Sequence, residues 1–273
     1  MRLSMHRILA GLMLALVLNG PAHAAPPAHV FLEEMTSPEV GEALRGGATT
    51  IIIPVGGTEQ NGPHMTLGKH NVRVKLLAGR IALALGNAIV APVVAYVPEG
   101  SITPPRAHMR FAGTISIPDE AFKSLLDASA RSFAQHGFTD IVLIGDHGGY
   151  QAQLAAVAAR LNRDWAHTPA RAHFIAEYYL AADKPYADAL RAQGLSAAQI
   201  GTHAGAADTS LMLAVDPTQV HTGQLAAAAE GGTRVGVAGD PRPATAQLGQ
   251  LGAEKIVSDS VAAIRKAVAA RHR

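Results

Sequence analysis

Ala48-Thr49-Thr50-Ile51-Ile52-Ile53-Pro54-Val55 runs directly into Gly56-Gly57-Thr58-Glu59-Gln60-Asn61-Gly62-Pro63-His64. The first half is β-branched with no polar alternation, the pattern of a strand covered on both faces, and such strands belong to parallel sheets flanked by helices. The second half is polar and glycine-rich, a loop leaving the strand's carboxyl end. Downstream, Val74, Leu77, Ile81 and Leu85 fall at helical spacing and stop at Gly86, and Ala88 to Val97 is again strand-like. Strand, helix, strand implies a parallel pair. The unit recurs: Phe122, Leu125, Leu126 and Phe133 mark a helix, Asp140 to Gly145 a strand, Leu154, Val157 and Leu161 another helix, and Ala172 to Tyr178 a further strand. Upstream, Phe31 to Leu44 reads as a lead-in helix started by Ser37-Pro38-Glu39. The Val257, Val261, Ile264, Val268 stripe reads as a C-terminal packing helix. The expected fold class is α/β, a three-layer α/β/α sandwich with a mainly parallel central sheet.

Among 273 residues there is no cysteine, 48% are hydrophobic and 16% charged, which excludes a disordered tail, a disulfide-stapled miniprotein and a cysteine-ligated zinc finger. Met1 to Ala24 carries Arg2 and Arg7, an apolar run from Ile8 to Leu18 and the small-x-small triplet Ala22-His23-Ala24. It reads as a cleaved signal peptide, residues 1–24, leaving 25–273 as a single domain that is periplasmic or secreted. The apolar run is shorter than the roughly 20 residues that span a bilayer, so no membrane association is expected after cleavage. Lys plus Arg number 23 against 21 Asp plus Glu, an excess contributed by the leader's two arginines, so no basic face for nucleic acid is expected.

Ligands in parallel α/β sheets bind at the carboxyl ends of strands, which directs attention to the segments after Val55, Val97 and Ile144. The first carries Glu59, Asn61, His64 and His70; the last carries Asp146 and His147. A third polar segment, Gly201 to Ser210, holds His203 and Asp208 and opens the apolar helix Leu211 to Val215. Imidazoles and carboxylates gathered this way suit a divalent metal, although Asp208, Thr209 or Ser210 could equally cap that helix. Asp146 and His147 are neighbours on a strand end and point oppositely, so Asp146 is expected in a different layer. Glu99 to Pro118 is a long proline-containing loop of the kind that is often functional. Within it His108 is read as solvent-exposed; Trp165 is read as packing, and His136, His167, His173 and His221 as surface or structural residues.

Together and in this order, the three polar segments resemble the creatininase (creatinine amidohydrolase) family. Pro54-Val55-Gly56 with Glu59-Gln60 and Gly62-Pro63-His64 match its first motif, His147-Gly148-Gly149 its second, and His203-Ala204-Gly205 with Thr209-Ser210 its third. Phe111 with Gly113 to Ser116, and Gly236 with Gly239 to Pro241, are weaker matches. The resemblance implies metal-assisted hydrolysis of a non-peptide amide C–N bond in a small or cyclic compound, at a site that commonly holds two ions. It also implies a homo-oligomer, the hexamer being common. Glu59 and His147 stand at family metal-ligand positions. Asn61 replaces a ligating histidine, His70 replaces the bridging aspartate, Asp208 shortens a glutamate and Ala206 replaces an acidic residue. A carboxylate can join two ions, whereas a neutral imidazole presents one lone pair to one. The expectation is therefore one ion, zinc with manganese or iron as alternatives, held by Glu59, His70 and His147. It would polarise a substrate carbonyl and activate water. His203 and Asp208 are the candidates for proton transfer, Asp208 alternatively completing the metal shell, with Asn61, His64 and Asp146 in substrate or supporting contacts. A one-metal lactonase or esterase, and a non-catalytic periplasmic small-molecule binding protein, are the alternative functions.

Overall fold

In the computed structural model, residues 29–271 are described; the expected signal segment, residues 1–24, lies outside them. Helix α1 (Ser37–Arg45) leads into β1 (Thr50–Val55), α2 (Lys69–Leu85) and β2 (Ala88–Val90). Then come α3 (Asp119–Gln135), β3 (Asp140–Gly145), α4 (Gln151–Asp164) and β4 (Arg171–Phe174). The remainder is helical: α5 (Glu177–Ala182), α6 (Lys184–Ala192), α7 (Ala197–Ile200), α8 (Ala206–Val215), α9 (Leu225–Gly231) and α10 (Ala246–Arg271). The strands lie in the order β2-β1-β3-β4 and every pairing is parallel.

Alternation along the strands builds one core on each face of the sheet. Ile52, Val142 and Ile144 pack with Val74 and Leu77 of α2, Tyr178 of α5 and Ile256 of α10. Ile51, Ile53, Ile141 and Leu143 face Phe122 and Leu126 of α3 and Leu154 of α4. Both faces of the sheet are thus covered, as the unalternating isoleucines require, and each such side chain fully buried contributes roughly 1.5–3 kcal/mol. The parallel three-layer expectation holds.

Several boundaries move. The lead-in is a single 3-10 turn, Leu32–Glu34, followed by α1, which Thr36 and Glu39 start with a capping box. The strand expected over Ala88 to Val97 pairs regularly only to Val90; Pro92 has no N–H to give a ladder, and contact with β1 resumes as a single bridge from Val94 to Val55. The strand expected to Tyr178 ends at Phe174, and Tyr178 belongs to α5. Helix α8 begins at Ala206 rather than Leu211. At the outer edge of β4, the side-chain amide of Asn162 accepts from Ala172 N (2.8 Å) and donates to Ala172 O (2.8 Å), making the pair of bonds another strand would make. Trp165 is packed, 7% exposed, and His173 is paired with Asp140 at 2.8 Å. No helix among the described residues is long and apolar enough to cross a membrane.

Candidate active site

The loops after β1, β2 and β3 meet at the carboxyl edge of the sheet. Gly56 and Gly57 let the first loop turn against its neighbours: Gly57 has φ +148°, and a Cβ there would stand 2.5 Å from Glu99 Oε1. Asn71 of α2 receives the Gly57 N–H (2.9 Å) and donates to Thr58 Oγ1 (3.1 Å), closing the loop. The Tyr150 hydroxyl lies between two strand ends. It accepts from the N–H groups of Asp146 (3.1 Å) and His147 (3.0 Å), and faces the carbonyls of Val55 (2.8 Å) and Gly56 (2.6 Å). That clamp holds the Glu59 loop and His147 in register.

At the centre is Glu59, fully buried. Burial opposes its ionisation, but Lys69 and the hydrogen bond from His70 outweigh this and hold it well below the usual carboxylate range. Its Oε2 lies 3.2 Å from His108 Nε2 and 3.9 Å from His147 Nε2, and Glu99 Oε2 lies 3.6 Å from His147 Nδ1. Glu59, Glu99, His108 and His147 each bring one ligand atom within 4.8 Å of the others. Glu59 Oε2 and both Glu99 oxygens are buried without a hydrogen-bond partner. Burial, and then the charge of Glu59, push the Glu99 carboxyl up to about 9. Two carboxylates and two imidazoles around unsatisfied oxygens form a donor set that fits a divalent cation.

The expected site residues come together, with changed partners. His70 is buried and faces inward, with Nε2 2.7 Å from Glu59 Oε1 and Nδ1 2.5 Å from Asp146 Oδ1. Both nitrogens are engaged by carboxylates, and the ligand atoms that gather with Glu59 and His147 are those of Glu99 and His108. His108 is a correction: its side chain is 23% exposed and held by the Gln60 amide, 3.2 Å from its Nδ1. Glu99 was given no role in the sequence, where its only signal was its position at the head of the long loop, and Gln60 entered only as a motif match.

Asp208 is held by Arg73 Nη1 (2.9 Å), Lys69 Nζ (3.3 Å) and the Ala204 N–H (2.9 Å). Burial raises its pKa, but Lys69 and Arg73 more than reverse this and keep it well below the usual range. A carboxylate so paired is an anchor between α2 and α8, and this corrects its assignment to proton transfer. The capping reading also fails, since α8 has no side-chain cap. Asp146 accepts from Arg73 Nε (2.8 Å) and from the Tyr178 hydroxyl (2.7 Å), and it borders the same cavity as His147. Asn61 donates to the carbonyls of Glu59 (2.9 Å) and Thr66 (3.0 Å), bracing the loop on which Glu59 sits. His64 contacts Thr209 Oγ1 (3.0 Å), and burial brings its pKa down to about 4.

His203 Nε2 lies 2.9 Å from the Gln60 carbonyl oxygen and 3.1 Å from the Gln60 side-chain nitrogen, and Nδ1 stands 3.7 Å from Glu59 Oε1. Burial, and then Lys69, lower its pKa to about 4, so the ring is neutral at pH 7. A cavity of about 390 Å³ opens over the group, walled by Lys69, His108, His147, His203, Tyr179 and Thr202.

A parallel α/β sandwich with carboxylates and imidazoles gathered beside a pocket at its carboxyl edge is an arrangement that suits a metal-assisted hydrolase built on strand-end loops. Comparison with known proteins identifies the family. The model of the creatininase family, described as creatinine amidohydrolase, matches residues 33–264, and the chain belongs to that family of hydrolases. Mycofactocin precursor peptide peptidase of Mycolicibacterium smegmatis is 31% identical over 246 residues, 81% of this chain and 87% of that protein. 3-Dehydro-scyllo-inosose hydrolase of Thermotoga maritima is 32% identical over 123 residues, 45% of this chain and 37% of that protein. A crystal structure of creatinine amidohydrolase (creatininase) shares the fold at a TM-score of 0.70 and 24% identity, over 87% of this chain and 97% of that one.

Proposed function

We propose that this protein is an exported hydrolase that uses one divalent ion to cleave a non-peptide amide C–N bond in a small or cyclic compound. The observation that carries the reading is the set of buried, unpartnered oxygens of Glu59 and Glu99 gathered with His108 and His147, two histidines of the cavity wall. These four residues would hold the ion. Zinc is the first choice, with manganese or iron as alternatives; among the structural relatives, one creatininase is titled as its Mn form and another as a Zn-Zn type. When bound, the ion supplies Lewis acidity that makes water a nucleophile at neutral pH.

The protein's own groups do the rest. His203, neutral, takes at Nδ1 the proton released when water adds to the carbonyl carbon and returns it to the leaving nitrogen. This role uses the tautomer in which Nε2 donates to the Gln60 carbonyl, 2.9 Å away. Asp208, Arg73, Asp146 and His70 form a buried relay of ion pairs that holds Glu59 and the start of α2 still. The cavity, about 390 Å³, suits a small molecule and walls it from bulk water on several sides.

A second reading has its own support: the M. smegmatis relative, similar across most of both chains, is named for a peptide substrate. The end of a peptide would then enter the cavity. A panel of cyclic amides, formamides, lactones and short peptides, run with zinc, manganese or iron after metal quantification, tests both. One ion per chain and turnover of amides ahead of lactones is the expected result. Two ions per chain refutes the donor assignment, preference for peptides moves the protein to the second reading, and metal-independent activity refutes both.

A further inference from the structure

Lys69 is a cation where helix physics opposes one. It is the first residue of α2, whose first turn has no acidic residue, and a helix N-terminus already carries partial positive charge. Its side chain is 1% exposed, so the ammonium is also removed from water. Only Glu59 Oε1 (3.5 Å) and Asp208 Oδ2 (3.3 Å) offset this, and neither is its own partner: Glu59 is also held by His70, and Asp208 by Arg73. An ammonium has three N–H donors. Two face these carboxylates, and because Lys69 forms part of the cavity wall beside His108, His147 and His203, the third is left for whatever occupies the cavity. Its charge also reaches the surrounding groups, helping to hold Glu59 and Asp208 ionised and the three cavity histidines neutral. A sequence that breaks a helix-end preference and buries a charge beside its reaction cavity marks that charge as functional.

We propose that Lys69 is a catalytic residue: its ammonium receives the oxygen of the scissile carbonyl and stabilises the negative charge that grows there as water adds to the carbon. This rests on the hydrolytic reading above. Lys69 forms no covalent bond; its part is a preorganised donor aimed at developing charge.

The test uses the full chain with Lys69→Ala and Lys69→Met. Both are expected to keep the wild-type metal content. Lys69→Ala should lower kcat on the best panel substrate on the order of 100-fold, with KM moving much less. Ethylammonium should then restore part of kcat in a saturable way, whereas tetramethylammonium, equally charged but without an N–H, should not. Lys69→Met, which fills the space without charge, should be slow and beyond rescue. In metal-free, substrate-free protein, ethylammonium should raise the Tm of Lys69→Ala and leave wild type unmoved. Retention of wild-type kcat by Lys69→Met, loss of metal in step with kcat, or equal rescue by tetramethylammonium overturns the proposal. If wild type hydrolyses nothing in the panel, the hydrolytic reading fails by itself. The Tm arm then decides separately whether an ammonium site faces the cavity, and no shift there overturns the proposal.

Discussion

Tyr150 ties two strand ends through one hydroxyl, and removing that oxygen leaves the His147 N–H without its acceptor, while the Asp146 N–H keeps the Val55 carbonyl (3.0 Å). Tyr150→Phe should therefore destabilise the protein by about 1–3 kcal/mol despite conserving the ring, as chemical denaturation will measure. His64 supplies a pH dependence. Burial lowers its pKa from 6.5 to about 4 in the folded state. Between those values the unfolded chain binds a proton that the folded chain refuses, so its contribution to stability is full above about pH 6.5 and falls by about 1.4 kcal/mol per pH unit down to about pH 4. His64→Gln should flatten that part of the acid limb in a pH series of urea midpoints. At the metal group, Glu99→Gln and His108→Ala should each leave purified protein with well under one equivalent of metal, measured by elemental analysis. Glu59 and His147 were legible in the sequence because each follows a recognisable strand end and carries motif neighbours. Glu99 and His108 were not: they belong to a long loop whose path depends on contacts such as Ser116 Oγ with Glu99 N (3.0 Å) and Gln60 with His108, which no local pattern announces. His70 misled because an inward imidazole has two nitrogens, and its use depends on where Asp146 stands.

Elements pack most closely where α8, which carries Asp208 and Thr209, meets α10. A Cβ at Gly249 would lie 1.8 Å from the Ser210 carbonyl oxygen. Replacing a helical glycine by alanine ordinarily stabilises by up to about 1 kcal/mol. Here Gly249→Ala should do the reverse, lowering Tm and loosening the Asp208 anchor, and a rise in Tm would contradict the packing described. Strand and helix types were readable from period and β-branching, but some ends were not. An apolar run such as Ala172 to Tyr178 reads the same whether it stays in the sheet or turns into a covered helix, and Tyr178 turns because its hydroxyl is drawn to Asp146. The same limit hid the early start of α8, whose opening residues Ala206 and Ala207 carry no pattern of their own.

On the scale of the molecule, two cores on either side of one sheet account for stability without a disulfide. That architecture was readable from Ile51 to Val55 alone, because three consecutive isoleucines leave no face for water. The proposal of export rests on residues 1–24 alone: expression in a Gram-negative host should yield a mature chain beginning at Ala25, and N-terminal sequencing of the periplasmic fraction will test it. The Asn162 amide bears on assembly. Since that side chain already occupies the outer hydrogen-bonding positions of Ala172, a second copy could continue the ladder through this residue only by displacing the amide. Asn162→Ala would leave the Ala172 N–H and carbonyl open to such pairing.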